Sequence, residues 1–183
     1  MIALNQRPKR SDDLLSQWGE GLRDSSDLIR QFVARDYGKV VAAVGAATGD
    51  RDAAEDGVQT ALLKVIRDNH KPDQLAAWVT VVAINEVRQV HRRRKTEQRV
   101  TEQPTDTTTR PIEGIAAATD LRSAVAELPD RQREIVLMFY YLDTSVADIA
   151  AAMQISSGTV KTQLHRARAA MATRLGIQEQ GVT

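Results

Sequence analysis

The sequence predicts an all-α protein built as two small helical domains joined by a flexible linker. Three observations carry this expectation. Apolar residues recur at intervals of three and four rather than two, which is the period of helices and not of strands. A stretch from Thr96 to Gly114, TEQRVTEQPTDTTTRPIEG, interrupts that pattern with six threonines, two prolines and only two aliphatic side chains. It offers too little apolar surface to offset the entropy of ordering it. Beyond it, two closely spaced helical patterns near the C-terminus have the spacing of a helix-turn-helix. The expected organisation is an N-terminal arm over 1–24, a first domain over 25–95, a linker over 96–118, a second domain over 119–177 and a tail over 178–183.

The elements follow in order. Leu28, Phe32, Val40, Val41 and Val44 predict a helix from about Ser25 to Thr48, closed by Gly49. The clearest helix comes next, because Ala54, Val58, Ala61, Leu62, Val65 and Ile66 make one apolar stripe. At its start, Asp52 followed three residues later by Glu55 resembles a capping box. A third helix is expected from about Asp73 into a run of arginines, with Leu75, Trp78, Val79 and Val82 facing inward. After the linker, Leu121, Val125, Leu128, Ile135, Val136, Met138, Phe139 and Leu142 mark two helices broken at Leu128-Pro129-Asp130. Pro129 suits a first helical turn. The last two helices are expected from Ser145 to Met153 and from Ser156 to Leu175.

Composition narrows the function. With 42% hydrophobic and 27% charged residues over 183 positions, the chain can bury a core. No run of about 18 apolar residues is present, so no membrane contact of its own is expected. The N-terminus has no apolar segment behind its basic residues and the chain has no cysteine, so disulfides and thiolate zinc sites are excluded and the cytoplasm is the expected compartment. His70, His91 and His165 fall on three different elements, and no Ser/His/Asp set or Gly-rich phosphate loop is visible. Neither an enzyme nor a cofactor or metal is expected.

The net charge of +1 conceals two basic islands. Glu86 to Arg99 carries six Lys and Arg against two Glu, and Gln154 to Arg174 carries four against none. In the second island Ser156 or Ser157 can cap the last helix, leaving N–H groups at the positive end of its dipole for a phosphate. Val160, Leu164, Ala167 and Met171 share its inner face, which turns Thr159, Lys161, Thr162, His165 and Arg166 outward, as a helix entering a major groove requires. In the first island Asn85, Arg88 and Arg92 form one stripe. Dipole complementation at a helix end accounts for two or three cations there but not six. A third stripe, Asp52, Glu55, Asp56 and Gln59, is acidic and fits either a docking surface or a metal site. A di-metal carboxylate bundle needs Glu-x-x-His pairs on other helices, and the sequence has none.

Taken together, DRDAAEDGVQTALLKVIRD, AAWVTVVAINEVRQVHRRRK, ELPDRQREIVLMFYYLDTSVADIAAAM and ISSGTVKTQLHRARAAM resemble the extracytoplasmic-function (ECF) sigma factors of bacterial RNA polymerase, of the sigma-70 superfamily, over about Leu28 to Leu175. The resemblance implies a first domain equivalent to sigma region 2 and a second equivalent to sigma region 4. It implies that Asp52, Glu55, Asp56 and Gln59 dock on the beta-prime subunit of core RNA polymerase, with the beta subunit a further contact. It assigns Asn69, His70, Lys71, Asn85, Arg88, Arg92 and Arg93 to the minus-10 promoter element, which this part of the family melts and captures. Ser156, Ser157, Thr159, Lys161, Thr162, His165 and Arg166 would read the minus-35 element. The implied partners are core polymerase, promoter DNA and an anti-sigma factor. Gly57 stands where the family usually has a large aliphatic residue, Ile84 where a basic residue often precedes the asparagine, and Asp148 where glutamate is usual; Leu62 and Ile66 stand where aromatics are common. Two other readings remain: a stand-alone helix-turn-helix regulator, which has no need of the acidic stripe, and a helical metal-dependent hydrolase using Asp52, Glu55 and Asp56.

Overall fold

The computed structural model describes residues 26–68, 70, 72–101 and 116–177, and every regular element among them is helical. Residues 26–35 form α1, followed by α2 (Tyr37–Thr48), α3 (Arg51–Arg67) and α4 (Leu75–Thr101). The second half holds α5 (Ala116–Ala126), α6 (Asp130–Val136), a π-helical turn (Leu137–Tyr141), α7 (Val146–Met153) and α8 (Ser157–Arg174). The expected arm over 1–24, the tail over 178–183 and the middle of the expected linker lie outside the described residues.

Local chemistry explains most boundaries. Gly49 closes α2 in the left-handed region at φ 77°, its N–H bonded to Gly45 O, as its place in the sequence predicts. The helix expected from Ser25 to Thr48 is divided at Asp36, a turn residue that stays in the right-handed helical region at ψ −20° but with φ widened to −119°. Asp36 N to Phe32 O and Val40 N to Asp36 O, both 2.8 Å, span the break, so the chain bends there and buries both Phe32 and Val40. The start of α3 also corrects the sequence reading. Its N-cap is Asp50, extended at φ −131°, with Oδ1 accepting from Ala53 N at 2.9 Å. Asp52 sits in the first turn instead, and the Glu55 carboxylate receives Tyr37 OH at 3.4 Å. Helix α4 continues to Thr101, six residues past Lys95, with Thr96 Oγ1 donating to Arg92 O at 2.9 Å.

Two apolar clusters organise the molecule. In the first, Phe32, Val40, Val44, Ala54, Val58, Ala61, Val65, Val79, Ile84 and Val87 join α1 to α4. Gly57 lets α3 and α4 approach closely: a Cβ there would meet Ala83 O and Val87 Cγ2, each at 3.0 Å. A large aliphatic residue has no room, which accounts for that departure from the family pattern. Ile84 is buried in the same cluster, where a basic side chain would be stranded. The second cluster contains Leu128, Ile135, Met138, Ile149, Met153, Val160, Leu164 and Ala167, and it also contains Ala77 from α4.

Ala77 makes α4 the shared wall of the two halves. One face of its first turns, Leu75, Val79 and Ala83, fills the first cluster, while Ala77 and Val81 pack on the second. From the other side, Leu137 and Leu142 reach the first cluster. The sequence of these turns, LAAWVTVVAI, is apolar all round, the composition of a helix covered on every side. Its lone hydroxyl, Thr80, is buried and donates to Ala76 O of the same helix at 2.7 Å.

Candidate nucleic-acid interface

The C-terminal helix pair forms as a helix-turn-helix. Ser145 caps α7, its Oγ accepting from Asp148 N at 3.1 Å and donating to Asp148 Oδ2 at 2.6 Å. Aspartate at position 148 thus serves the helix start through this reciprocal pair. Gln154 closes α7 in the left-handed region at φ 54°, and Ser156 opens α8, accepting from Thr159 N at 3.0 Å. Ser156, not Ser157, is therefore the cap. Val160, Leu164 and Ala167 are buried against α6 and α7, and Met171 is partly buried in the same cluster.

The opposite face of α8 is free for a ligand. Ser156, Ser157, Thr159, Lys161, Thr162, His165 and Arg166 are all exposed. Thr162 Oγ1 donates to Gly158 O at 3.0 Å, leaving its lone pairs outward, and neither Lys161 nor Arg166 forms an ion pair among the described residues. Arg168 is oriented differently. Its Nε donates to Tyr140 OH at 2.6 Å and its guanidinium lies 5.7 Å from the Tyr140 ring centroid. The tie follows from the π-helical turn, closed by Leu142 N to Leu137 O at 3.1 Å. The sequence carries no signal for that turn beyond its three consecutive aromatics, Phe139, Tyr140 and Tyr141.

The acidic stripe is likewise exposed. Asp52, Glu55, Asp56 and Gln59 line one side of α3, away from buried Ala54, Val58, Ala61 and Val65. Exposed Leu63 and Ile66 continue that side toward the helix end. Among the described residues, no three His, Asp or Glu side chains converge as a metal site would require.

The α4 stripe is not uniform. Asn85, Arg92 and Arg93 are exposed, whereas Arg88 turns to the second half of the molecule. Its Nη1 donates to Glu134 Oε1, and Nη2 lies 3.1 Å from Asp130 Oδ2. Glu134 is only 2% exposed and also faces Arg131 Nη1 at 3.3 Å. His91, one turn on from Arg88, contacts Asp50 Oδ2 at 2.9 Å. The backbone N–H of Ala53, and then His91 beside it, hold the Asp50 carboxyl below its usual range. His70 is exposed, its ring 4.9 Å from that of Trp78. Asn69 and Lys71 lie outside the described residues. Reading residues by sequence position alone did not single out Asp130, Arg131 or Glu134, because in DRQREIV they resemble an ordinary charged helix surface.

Known proteins with this arrangement are sigma factors. The family described as Sigma-70, region 4 matches residues 118–171. The ECF RNA polymerase sigma factor SigL of Mycobacterium tuberculosis is 36% identical over 149 residues, covering 74% of this chain and 81% of the relative. The RNA polymerase sigma-E factor of Streptomyces antibioticus is 34% identical, covering 67% of this chain and 70% of its own. In fold, the chain is similar to RpoE of Bartonella quintana, solved in complex with the anti-sigma factor NepR, with a TM-score of 0.67 and 24% identity over 84% of this chain and 99% of that one. CnrH, solved with the cytosolic domain of CnrY, gives a TM-score of 0.60 at 19% identity over 88% and 96%. With 36% identity to SigL over about three quarters of the chain added to its helix-turn-helix, the chain belongs to the ECF sigma factors and acts with bacterial RNA polymerase in promoter recognition and transcription initiation.

Proposed function

We propose that the surfaces divide the work of initiation among three helices. The acidic face of α3, Asp52, Glu55, Asp56 and Gln59, docks on the beta-prime subunit of core polymerase. Asn69, His70, Lys71, Asn85, Arg88, Arg92 and Arg93 hold the minus-10 element, and the outer face of α8 reads the minus-35 element. This assigns residues 25–95 to sigma region 2 and 119–177 to sigma region 4, with 96–118 connecting them. The observation that carries the reading is the α8 face, where a capped N-terminus precedes Thr159, Lys161, Thr162, His165 and Arg166 in a row, exposed and backed by a buried apolar stripe.

The protein works in the cytoplasm and catalyses nothing itself, the chemistry of RNA synthesis belonging to the polymerase. No helix among the described residues is long and apolar enough to cross a membrane. An anti-sigma factor is a further partner, as NepR is for RpoE. The docking assignment is tested by co-elution with core polymerase on size exclusion. The protein is expected to travel with the enzyme and to direct it to discrete start sites on a promoter library; core polymerase giving the same transcripts without it overturns the proposal.

A further inference from the structure

We infer that Tyr140 holds Arg168 as a clamp for a backbone phosphate at the wall of the groove that α8 enters, a contact separate from the face that reads bases. The inference rests on the proposed placement of α8 in the major groove at the minus-35 element.

Position along the helix comes first. Arg168 follows Lys161 by seven residues, nearly two full turns, so the two side chains leave α8 on the same side. The step between them along the axis is about 10 Å. With the N-terminal residues of α8 against base edges, a step of that size in a groove about 12 Å wide ends at the sugar-phosphate wall. Arg168 therefore stands where the backbone is gripped and sequence is not read.

Its surroundings leave the charge free. Arg174, farther along the same helix, is matched by the Glu127 carboxylate at 2.8 Å, whereas Arg168 meets only a neutral phenol. The bond to Tyr140 OH uses Nε alone, and neither Nη forms an ion pair or hydrogen bond among the described residues. Those two nitrogens make the fork that binds two oxygens of one phosphate.

The aromatic rings fix where the fork points. Tyr140 belongs to the π-helical turn, and its ring stands edge-on to that of Phe139, with centroids 4.9 Å apart and planes at 85°. The Arg168 guanidinium lies 5.7 Å from the Tyr140 ring centroid and 6.0 Å from that of Phe139, so the long side chain is laid across the turn. Arg168 is exposed and Tyr140 is 54% exposed. A tie so open to water does little for the fold. It settles the rotamers of a cation before DNA arrives, which lowers the entropy cost of the contact. Tyr140 is thus a positioning residue, and Arg168 the group that touches DNA.

The test is holoenzyme binding to a promoter recovered from the library, and to the same duplex with its upstream block scrambled. Fluorescence anisotropy reads the affinity over a series of salt concentrations. Arg168→Ala is expected to weaken both duplexes by the same factor, roughly three- to tenfold, and to lower the slope of log affinity against log salt by about 1. Tyr140→Phe keeps the ring and removes the acceptor. It should weaken binding roughly twofold in the parent and not at all in the Arg168→Ala chain. Thermal unfolding should be unchanged in both single variants. The parent's salt slope in Arg168→Ala overturns the clamp, whether or not stability falls, and so does a loss confined to the intact promoter, which makes Arg168 a base reader. An equal cost of Tyr140→Phe in both backgrounds overturns the positioning role. Failure of the α8 reading looks different: the parent then binds the intact and scrambled duplexes equally, and the slope of Arg168→Ala still decides the backbone contact.

Discussion

The two basic helices carry the same local excess of charge and use it differently. On α8, Lys161, His165 and Arg166 stand exposed on a face whose reverse is buried, and no carboxylate approaches Lys161 or Arg166 among the described residues. On α4, the same kind of stripe is threaded into the protein: Lys64 meets Glu86 at 2.6 Å, Arg88 meets Glu134, and His91 meets Asp50. A sequence counts cations, but only packing decides which remain available to a partner. Arginines alike in a charge count therefore differ in their surroundings: Arg88 is paired with Glu134 within the fold, while Arg166 stands exposed.

The largest effect should come from outside both helices, and it sets the scale. Reversing Glu55→Lys with Asp56→Lys puts like charge where docking needs acid, and is expected to abolish co-elution with core polymerase. Helical content should hardly change, because both side chains are exposed and away from the core. Equal co-elution of variant and parent would remove the acidic face from the polymerase interface.

Next, truncation on the two basic helices should separate them. Arg88→Ala strips Glu134 of one partner in a nearly closed site and is expected to lower unfolding stability by about 2–4 kcal/mol, Arg131 softening the loss. Arg166→Ala should leave stability within about 0.5 kcal/mol, as exposed substitutions usually do. It should instead weaken promoter binding by the holoenzyme by about 1–3 kcal/mol if the contact is to a base edge. Urea unfolding and a promoter binding assay read the two quantities on the same pair of variants. Similar stability losses in both would erase the distinction.

The smallest expected effect concerns the cap that ties α3 to α4. Asp50→Ala removes the acceptor for Ala53 N and the partner of His91, costing about 0.5–2 kcal/mol at neutral pH. The folded protein holds this carboxyl below its ordinary value, so its contribution is complete above the unfolded Asp pKa of about 4 and fades as pH falls through the lower folded value. The difference between parent and variant in thermal unfolding should therefore narrow below about pH 4. A gap that widens on acidification would contradict the assignment.

How far the sequence discloses this molecule depends on the range of the interaction involved. The ends of α2, α7 and α8 are set by groups within a few residues, Gly49, Ser145 and Ser156, and are legible there. The cap of α3 is not legible in the same way, because Asp50 and Asp52 are both good caps and only backbone conformation chooses between them. The outer face of α8 and the acidic face of α3 follow from helical period, since each needs only that its apolar side be buried. The engagement of Arg88 is different: its partner lies 46 positions away, and nothing in local pattern names Glu134. One signal was available, the ring of apolar residues from Leu75 to Ile84, which no single packed face requires. The π-helical turn after α6 and its hold on Arg168 left no comparable trace.

The central claim, that α4 and α8 read separate promoter elements, is tested most directly by initiation on a randomised promoter library with core polymerase, comparing the parent chain with Arg166→Ala. The parent is expected to enrich two conserved blocks about two helical turns, roughly 20 base pairs, apart. Arg166→Ala should relax only the upstream block, leaving the downstream one unchanged. A single enriched block, or equal relaxation of both by a substitution on α8, would contradict the division of labour between the two helices.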